Sequence, residues 1–381
     1  MNIHYHTTRF GWRDGNDAEL LCDGEIFFPR MLQAIDQAEQ EVLLEMYLFE
    51  SGQVADRFIS SLCRAAQRGA QVYLLLDDFG CHALKTADRD HLRRAGVRLH
   101  FYNPLHYGRL RRALFRDHRK LLLVDGALAF VGGAGIADEF DALVHGKLAW
   151  RETMLALRGP CLQDWRQLFI EAWRQCSGDI SLANDFVVQT FADRFQGRVS
   201  PSSGQYGQEI KQTLMKRLRA AERRVWIATA YFVPSVKLRR ALARAARRGV
   251  DVRLLLPGPQ TDHPSVRHAG RRFYYSLLRA GVRIFEYQPR FTHAKVQMCD
   301  AWVSIGSSNI DRWNFRWNLE ANQELEDESF ARQVAEMFER DFAASRQISL
   351  EHWLRRPWYR RWLERFWGRI DVWLDRWMHR P

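Results

Sequence analysis

The sequence of 381 residues has little that would staple, secrete or anchor it. Its six cysteines, Cys22, Cys63, Cys81, Cys161, Cys176 and Cys299, form no C-x-x-C pair and no Cys/His cluster. That argues against a zinc site and a disulfide framework, and it fits a reducing compartment. Residues 1–20 carry charges throughout and contain no apolar run, so no signal peptide is expected. The longest apolar stretch, 121–137, is interrupted by Asp125 and by glycines. It is too short and broken to span a bilayer and reads as two buried strands. Any membrane contact is therefore expected to be peripheral. Acidic residues are in deficit, 45 against 57 Lys plus Arg, for a net charge of +12. The excess points to an anionic partner, whether nucleic acid, an acidic membrane surface or a phosphate-bearing substrate, without choosing among them.

What is present is a repeat. Hydrophobic residues at 46% permit a sizeable core, and four blocks recur in the same order. EVLLEMYLFE (41–50) returns as RVWIATAYFVP (224–234), and RGAQVYLLLDD (68–78) as RGVDVRLLLPG (248–258). RRAGVRLHFYNP (93–104) returns as LRAGVRIFEYQP (278–289), and HRKLLLVDGALAFVGG (118–133) as HAKVQMCDAWVSIGSS (293–308). Offsets of this size mark a duplicated domain, not a short solenoid repeat. In each half, continuous apolar strands such as 72–76 and 252–256 follow helices at 58–68 and 238–248, each stopped by a glycine. This predicts an α/β fold of two halves with mainly parallel or mixed sheets, related by a pseudo-twofold axis. A site at such an axis takes one set of groups from each half. The boundary is expected within 177–208, where PSSGQYGQ (201–208) reads as a loop. The division is then a first half at 1–195, a second at 196–348 and a tail at 349–381.

The fourth block carries the chemistry. It holds His118, Lys120 and Asp125 in the first half, and His293, Lys295 and Asp300 in the second. Strand alternation puts His and Lys on one face, two residues apart. A neutral imidazole can attack phosphorus, and an adjacent ammonium can hold non-bridging phosphate oxygens in the transition state. The aspartates fall on the opposite face and are better placed to anchor the strand than to touch substrate. One H-x-K-x(4)-D is weak evidence. Two copies at matching places in an independent duplication are strong evidence.

These paired motifs resemble the HKD motifs of the phospholipase D superfamily. From about residue 15 to 322 the chain is similar to bacterial cardiolipin synthases, in particular the B-type that lacks N-terminal membrane helices. The segments that carry the likeness are LLCDGEIFFPRMLQAI (20–35), ATAYFVPS (228–235), FTHAKVQMCD (291–300) and GSSNIDRWNFRWNLEAN (306–322). The resemblance implies a cleft between the halves in which one histidine forms a phosphatidyl-histidine and the other serves as acid and base. It favours His118 as nucleophile and His293 as acid/base. It implies a supporting acid downstream of each histidine, matched by Glu152, 34 residues after His118, and Glu320, 27 after His293. It gives Ser308 and Asn309 a part in holding phosphate or the surrounding network, whereas the first half has Gly135 where that asparagine is expected. It implies phosphatidylglycerol as substrate, cardiolipin and glycerol as products, and a place on the cytoplasmic face of a bacterial inner membrane.

No cofactor and no metal is expected, since two lysines and two histidines supply the positive charge. The acids at 77–78 and 138–141 read as solvated groups more readily than as metal ligands. Arg109, Arg111, Arg112, Arg116 and Arg119 form a basic run beside the first motif, read either as a contact for lipid phosphates or as a solvated loop. Residues 350–381 hold six of the 14 tryptophans and eight arginines. From Pro357 their apolar side chains recur at spacings of three and four, which reads as an amphipathic helix on a membrane surface. Phospholipid hydrolysis to phosphatidic acid, metal-independent cleavage of nucleic acid and a non-catalytic membrane-binding role are the competing functions. Nucleic acid is the less expected partner.

Overall fold

The computed structural model describes residues 8–104, 115–178, 180, 182, 189–192, 194–203, 207–311 and 318–357. Its first seven strands are β1 (Arg13–Cys22), β2 (Glu41–Met46), β3 (Gln71–Asp77), β4 (Arg98–Tyr102), β5 (Lys120–Val124), β6 (Leu128–Gly132) and β7 (Thr153–Arg158). The second half contributes β8 (Phe195–Ser203), β9 (Gly207–Gln208), β10 (Arg224–Ala228), β11 (Phe232–Val233), β12 (Asp251–Pro257) and β13 (Arg283–Tyr287). It ends with β14 (Val296–Cys299), β15 (Trp302–Gly306), β16 (Ile310–Asp311), β17 (Glu320–Glu326) and β18 (Ser345–Ile348).

One sheet runs through the whole chain in the order β18-β13-β12-β10-β14-β15-β17-β8-β1-β7-β6-β5-β2-β3-β4. Outward from the β8–β1 seam, the strands β17, β15, β14, β10, β12 and β13 correspond one for one to β7, β6, β5, β2, β3 and β4. The sequence repeat is thus a repeat of topology. The sheet is mixed, and most of its pairings are antiparallel. Only β2–β3–β4 and β10–β12–β13 run parallel. Those are the strands separated by helices long enough for a crossover, whereas the tight connection of β5 to β6 permits only an antiparallel return. Continuous apolar strands here reflect burial on both faces, not parallel pairing.

Of the loop expected at 201–208, residues 201–203 and 207–208 are strand and pair with each other. Pro201 and Ser202 pair with Ala321 and Glu320 of β17. Small residues suit this position because β8 joins the two halves at their closest approach, and Ser200 and Ser202 are buried there.

Helices cover both faces. Gly24–Asp36 and Gln53–Gln67 bury Phe27, Phe28, Met31, Ile35, Phe58 and Leu62 against the first half. Glu209–Ala220 and Val236–Arg247 do the same in the second half with Leu214, Leu218, Leu238 and Leu242. On the opposite face, Cys161–Ser177 and Glu328–Ala343 pack Trp165, Phe169, Trp173, Phe330, Phe338 and Phe342 into one core that is continuous across the seam. Each such side chain contributes on the order of 2–3 kcal/mol by leaving water. The halves are therefore held as one unit, which fixes the geometry of a site shared between them.

Candidate active site

Each His-x-Lys segment lies where a strand begins, and each is stitched to the other half. His118 N–H donates to Leu319 O at 2.9 Å, and Leu319 N–H donates back to Arg116 O at 2.8 Å. His293 N–H donates to Arg151 O at 2.8 Å, and Arg151 N–H to Phe291 O at 2.8 Å. Leu319 precedes Glu320 and Arg151 precedes Glu152, so these reciprocal bonds carry each carboxylate to the histidine of the opposite half. His118 Nδ1 lies 3.0 Å from Glu320 Oε1 and 3.2 Å from Oε2. His293 Nδ1 lies 2.6 Å from Glu152 Oε2. The downstream order in sequence therefore misleads. Glu152 does not serve His118, nor Glu320 His293, because β7 and β17 flank the seam and reach across it. A carboxylate on Nδ1 favours the tautomer whose lone pair sits on Nε2, the atom needed for attack on phosphorus.

All six groups are buried. Lys120 Nζ donates to His118 O at 2.7 Å and lies 5.0 Å from the centre of the Tyr47 ring. Lys295 Nζ donates to His293 O at 2.5 Å, lies 2.9 Å from His293 Nδ1 and is 3.7 Å from Glu152. Burial, and then the charges of Lys120, Lys295 and His293, hold His118 well below the ordinary imidazole value. Burial and Lys295 also lower His293, with Glu152 opposing them. Burial and the lysines thus favour the neutral imidazole at His118, the form nucleophilic attack requires, while Glu152 favours the charged form of His293, the form that can give up a proton. Burial pushes Lys120 down to about 7 against the pull of Glu320. It lowers Lys295 as well, against Glu152. The acids differ. Burial drives Glu320 up to about 8. Burial also works against the charge on Glu152, but Lys295 and the His293 hydrogen bond outweigh it and hold Glu152 below the ordinary carboxyl value.

The two histidines and Lys120 open on a cavity of about 330 Å³ walled by Tyr47, Phe140, Trp150 and Tyr231. The His118 ring is 4.5 Å from that of Tyr47. The His293 ring sits among Trp150, Phe140 and Phe291 at 5.4, 5.5 and 5.8 Å. Glu50, Glu139 and Asp262 add acceptors to the wall.

The remaining expected residues fall as follows. Asp125 and Asp300 stand away from the cavity at tight turns, with φ of 50° and 53°. Asp125 accepts N–H bonds from Glu39, Gln40 and Glu41 at 2.8–2.9 Å. Asp300 accepts from Glu222, Arg223 and Arg224 at 2.9–3.0 Å. They anchor the histidine strands to β2 and β10. Asn309 Oδ1 accepts from Thr229 Oγ–H at 3.2 Å and from Tyr231 N–H at 3.4 Å, and so ties the ATAYFVPS and GSSN segments of the second half together. Asn309 Nδ2 and Ser308 Oγ are buried and have no hydrogen-bond partner among the described residues.

Several expectations change. Arg116 and Arg119 are buried, not presented to lipid or solvent. Arg119 pairs with Glu45 at 2.8 Å and Asp117 at 3.3 Å, and Arg116 lies 3.6 Å from Asp77. Arg109, Arg111 and Arg112 lie outside the described residues. Asp138 accepts from Val54 N–H at 2.9 Å, Asp141 from Leu143 N–H at 2.8 Å, and Asp77 from Gly80 N–H at 2.9 Å. These acids cap and anchor backbone. Trp353 is buried against Tyr274, with ring centres 4.9 Å apart. The amphipathic helix expected from Pro357 onward lies outside the described residues, Pro357 apart.

Sequence reasoning missed Ser307, whose hydroxyl donates to Glu320, along with Tyr47, Trp150, Tyr231 and Asp262. Tyr47 and Tyr231 sit in recurring blocks and carried a signal. Asp262 lies in a segment outside the repeat and carried none.

Two histidine–carboxylate pairs exchanged between duplicated halves define a two-histidine phosphodiester-transfer fold with one composite site. The fold is similar to that of phosphatidylserine synthase from Haemophilus influenzae, with a TM-score of 0.67, 14% identity and 93% of each chain covered. It is also similar to polyphosphate kinase from Porphyromonas gingivalis, with a TM-score of 0.59 and 15% identity over 88% of this chain and 49% of that one. Residues 31–140 and 214–342 match the family described as cardiolipin synthase, PLD-like domain. Cardiolipin synthase A of Pseudomonas putida KT2440 is 35% identical over 342 residues, covering 88% of this chain and 70% of that protein. Cardiolipin synthase A of Pseudomonas aeruginosa LESB58 is 34% identical over 343 residues, covering 88% and 69%. The chain belongs to the PLD-like cardiolipin synthase family. These relatives carry the A name, and the narrower B-type likeness gains nothing from them.

Proposed function

We propose that the protein joins two phosphatidylglycerol molecules into cardiolipin and releases glycerol. The observation that carries this is the pair of exchanged histidine–carboxylate contacts facing one cavity, in a chain of this family. His118 Nε2 attacks phosphorus. The bond from phosphorus to the headgroup oxygen breaks, and that oxygen takes a proton from His293, leaving as glycerol. The glycerol hydroxyl of a second phosphatidylglycerol then gives its proton to His293 and attacks phosphorus. The phosphorus–nitrogen bond breaks and His118 is restored. Lys120 and Lys295 neutralise the non-bridging oxygens. Glu50, Glu139 and Asp262 offer acceptors to the acceptor's glycerol hydroxyls. Bulk water at about 55 M competes for the intermediate, so transfer needs the acceptor held at high effective molarity, and the aromatic wall supports that.

Segments 1–195 and 196–348 act in this reading as one catalytic unit. Among the described residues no helix is long and apolar enough to cross a membrane. The reading places the enzyme peripherally on the cytoplasmic face of the inner membrane. Phosphatidylglycerol vesicles incubated with the protein should yield cardiolipin and glycerol by mass spectrometry, both absent with His118→Ala, His293→Ala. Phosphatidic acid as the main product would make the protein a hydrolase and overturn the transferase.

A further inference from the structure

The helix Val236–Arg247 carries a surface that the catalytic site does not use. Leu238, Ala241, Leu242 and Ala245 face the core. Lys237, Arg240, Arg244 and Arg247, at spacings of three, four and three, form an exposed stripe. The sequence has no acid between Tyr231 and Val250, and none between His263 and Phe285. A depression of about 550 Å³ lies between this helix and Ser276 and Leu277 of the neighbouring helix. Val236 and Tyr275, 51% and 43% exposed, stand beside it.

The duplication supplies an internal control. The corresponding helix of the first half, Gln53–Gln67, has two arginines, and both are neutralised. Arg57 pairs with Asp141, and Arg64 lies 2.7 Å from Asp36. The superposition is fixed by structural arginines. Arg68 donates to Ile35 O and Ala38 O as Arg248 donates to Leu218 O and Ala221 O. In that register Arg64 corresponds to Arg244, and its partner Asp36 to Arg219. Where the first half has an ion pair, the second half has two exposed arginines. Packing needs no such change, since both helices bury the same kind of apolar stripe. Concentrated like charge destabilises the protein by itself, and an anionic partner offsets that cost.

We propose that this face, centred on Arg240, Arg244 and Arg247, docks the enzyme on an anionic phospholipid surface. This deepens the reading above, because it requires a lipid-facing enzyme. The adjoining structure favours a membrane over nucleic acid. Exposed Val236 and Tyr275 suit an interface in which apolar groups enter the headgroup layer. Trp353 packs on Tyr274 beside the patch, and from there the chain runs into residues 358–381, with five tryptophans and six arginines.

The test is co-sedimentation of the full chain with phosphatidylglycerol vesicles, phosphatidylcholine vesicles and duplex DNA, each at low and high salt. Wild type should bind phosphatidylglycerol vesicles preferentially, and salt should weaken binding. Arg240→Gln, Arg244→Gln, Arg247→Gln should lose about a hundred-fold in vesicle affinity, as expected for three cations at an anionic surface. The triple lysine variant should stay within a few-fold of wild type. Thermal melting should report all variants folded, since these side chains are exposed. Turnover of monomeric short-chain phosphatidylglycerol should be unchanged in the glutamine variant. That separates docking from chemistry, because failure of all lipid turnover in wild type would sink the transferase and leave vesicle binding to be scored. Equal binding to phosphatidylcholine, unaltered binding by the glutamine variant, or tighter binding to DNA than to vesicles would each overturn the proposal.

Discussion

Replacing Glu152 with glutamine keeps a side chain of the same shape but removes a charge beside His293 and Lys295. Glu152 Oε2 lies 2.6 Å from His293 Nδ1 and 3.7 Å from Lys295 Nζ. When His293 takes up a proton, the new charge faces a carboxylate. At about 4 Å and an effective dielectric near 20 that attraction is worth about 4 kcal/mol. Losing it slows the steps that place a proton on His293 by about a thousand-fold. The assay is cardiolipin formation at saturating substrate, paired with nitrogen chemical shifts of the two imidazoles. Glu152→Gln should lower kcat by two to four orders of magnitude and move the His293 resonances, leaving those of His118 nearly in place. Glu320→Gln should do the reverse. A loss under about ten-fold in kcat, or a Glu152→Gln variant that shifts His118 instead, would refute the exchanged pairing.

Stability should report Glu320 directly. Its carboxyl is held at about 8 against an ordinary value near 4.5. Between those two pH values the folded protein keeps a proton that the unfolded chain has lost, so stability falls as pH rises through that window. Glu320→Gln should flatten this slope in urea titrations between pH 5 and 8. Burial holds Lys120 at about 7, so the alkaline limb of kcat/KM is expected near pH 7 for the free enzyme. Gly133→Ala puts a Cβ 2.4 Å from Glu152 Oε2, and overpacking of this kind costs about 1–3 kcal/mol. Activity should fall further than melting temperature, because the group displaced is the carboxylate of His293. Asp300→Ala strips three backbone N–H groups of their acceptor and should cost about 2–3 kcal/mol in denaturant melts with kcat nearly intact. Asp300→Asn, which tolerates the positive φ and keeps an acceptor oxygen, should cost less.

The duplication, the strands flanking each histidine and the residue types of the site were legible because they are local. A period-two pattern and a repeated His-x-Lys need no knowledge of the fold. The exchange of Glu152 and Glu320 was not legible, because separation along the chain says nothing about which side of a seam a strand faces. Only the bonds of Leu319 to the His118 segment, and of Arg151 to the His293 segment, decide it. Arg119 misled for a related reason. Its neighbours in sequence are basic, but its partners Glu45 and Asp117 come from β2 and from its own turn. Composition also misread 201–203, where pairing with β17 and β9 outweighs the turn preference of Ser.

The halves share a topology but not a chemistry, and one substitution explains much of the difference. Ser307 in GSSN donates its hydroxyl to Glu320. The corresponding residue of the GGAG segment is Gly133, and the Glu152 carboxylate occupies the space its side chain would fill. Without a side chain there, Glu152 closes to 2.6 Å on His293 and comes within 3.7 Å of Lys295. Those contacts hold it ionised, whereas burial keeps Glu320 near half-protonated around pH 8. An ionised partner stabilises an imidazolium, the form needed to protonate a departing glycerol. A partner that readily keeps its proton lends little to an imidazolium and leaves His118 neutral, the form needed to attack phosphorus. The asymmetry thus supports His118 as nucleophile and His293 as acid and base. It also makes Gly133 and Ser307 the positions at which exchanging residues between the halves would weaken the distinction.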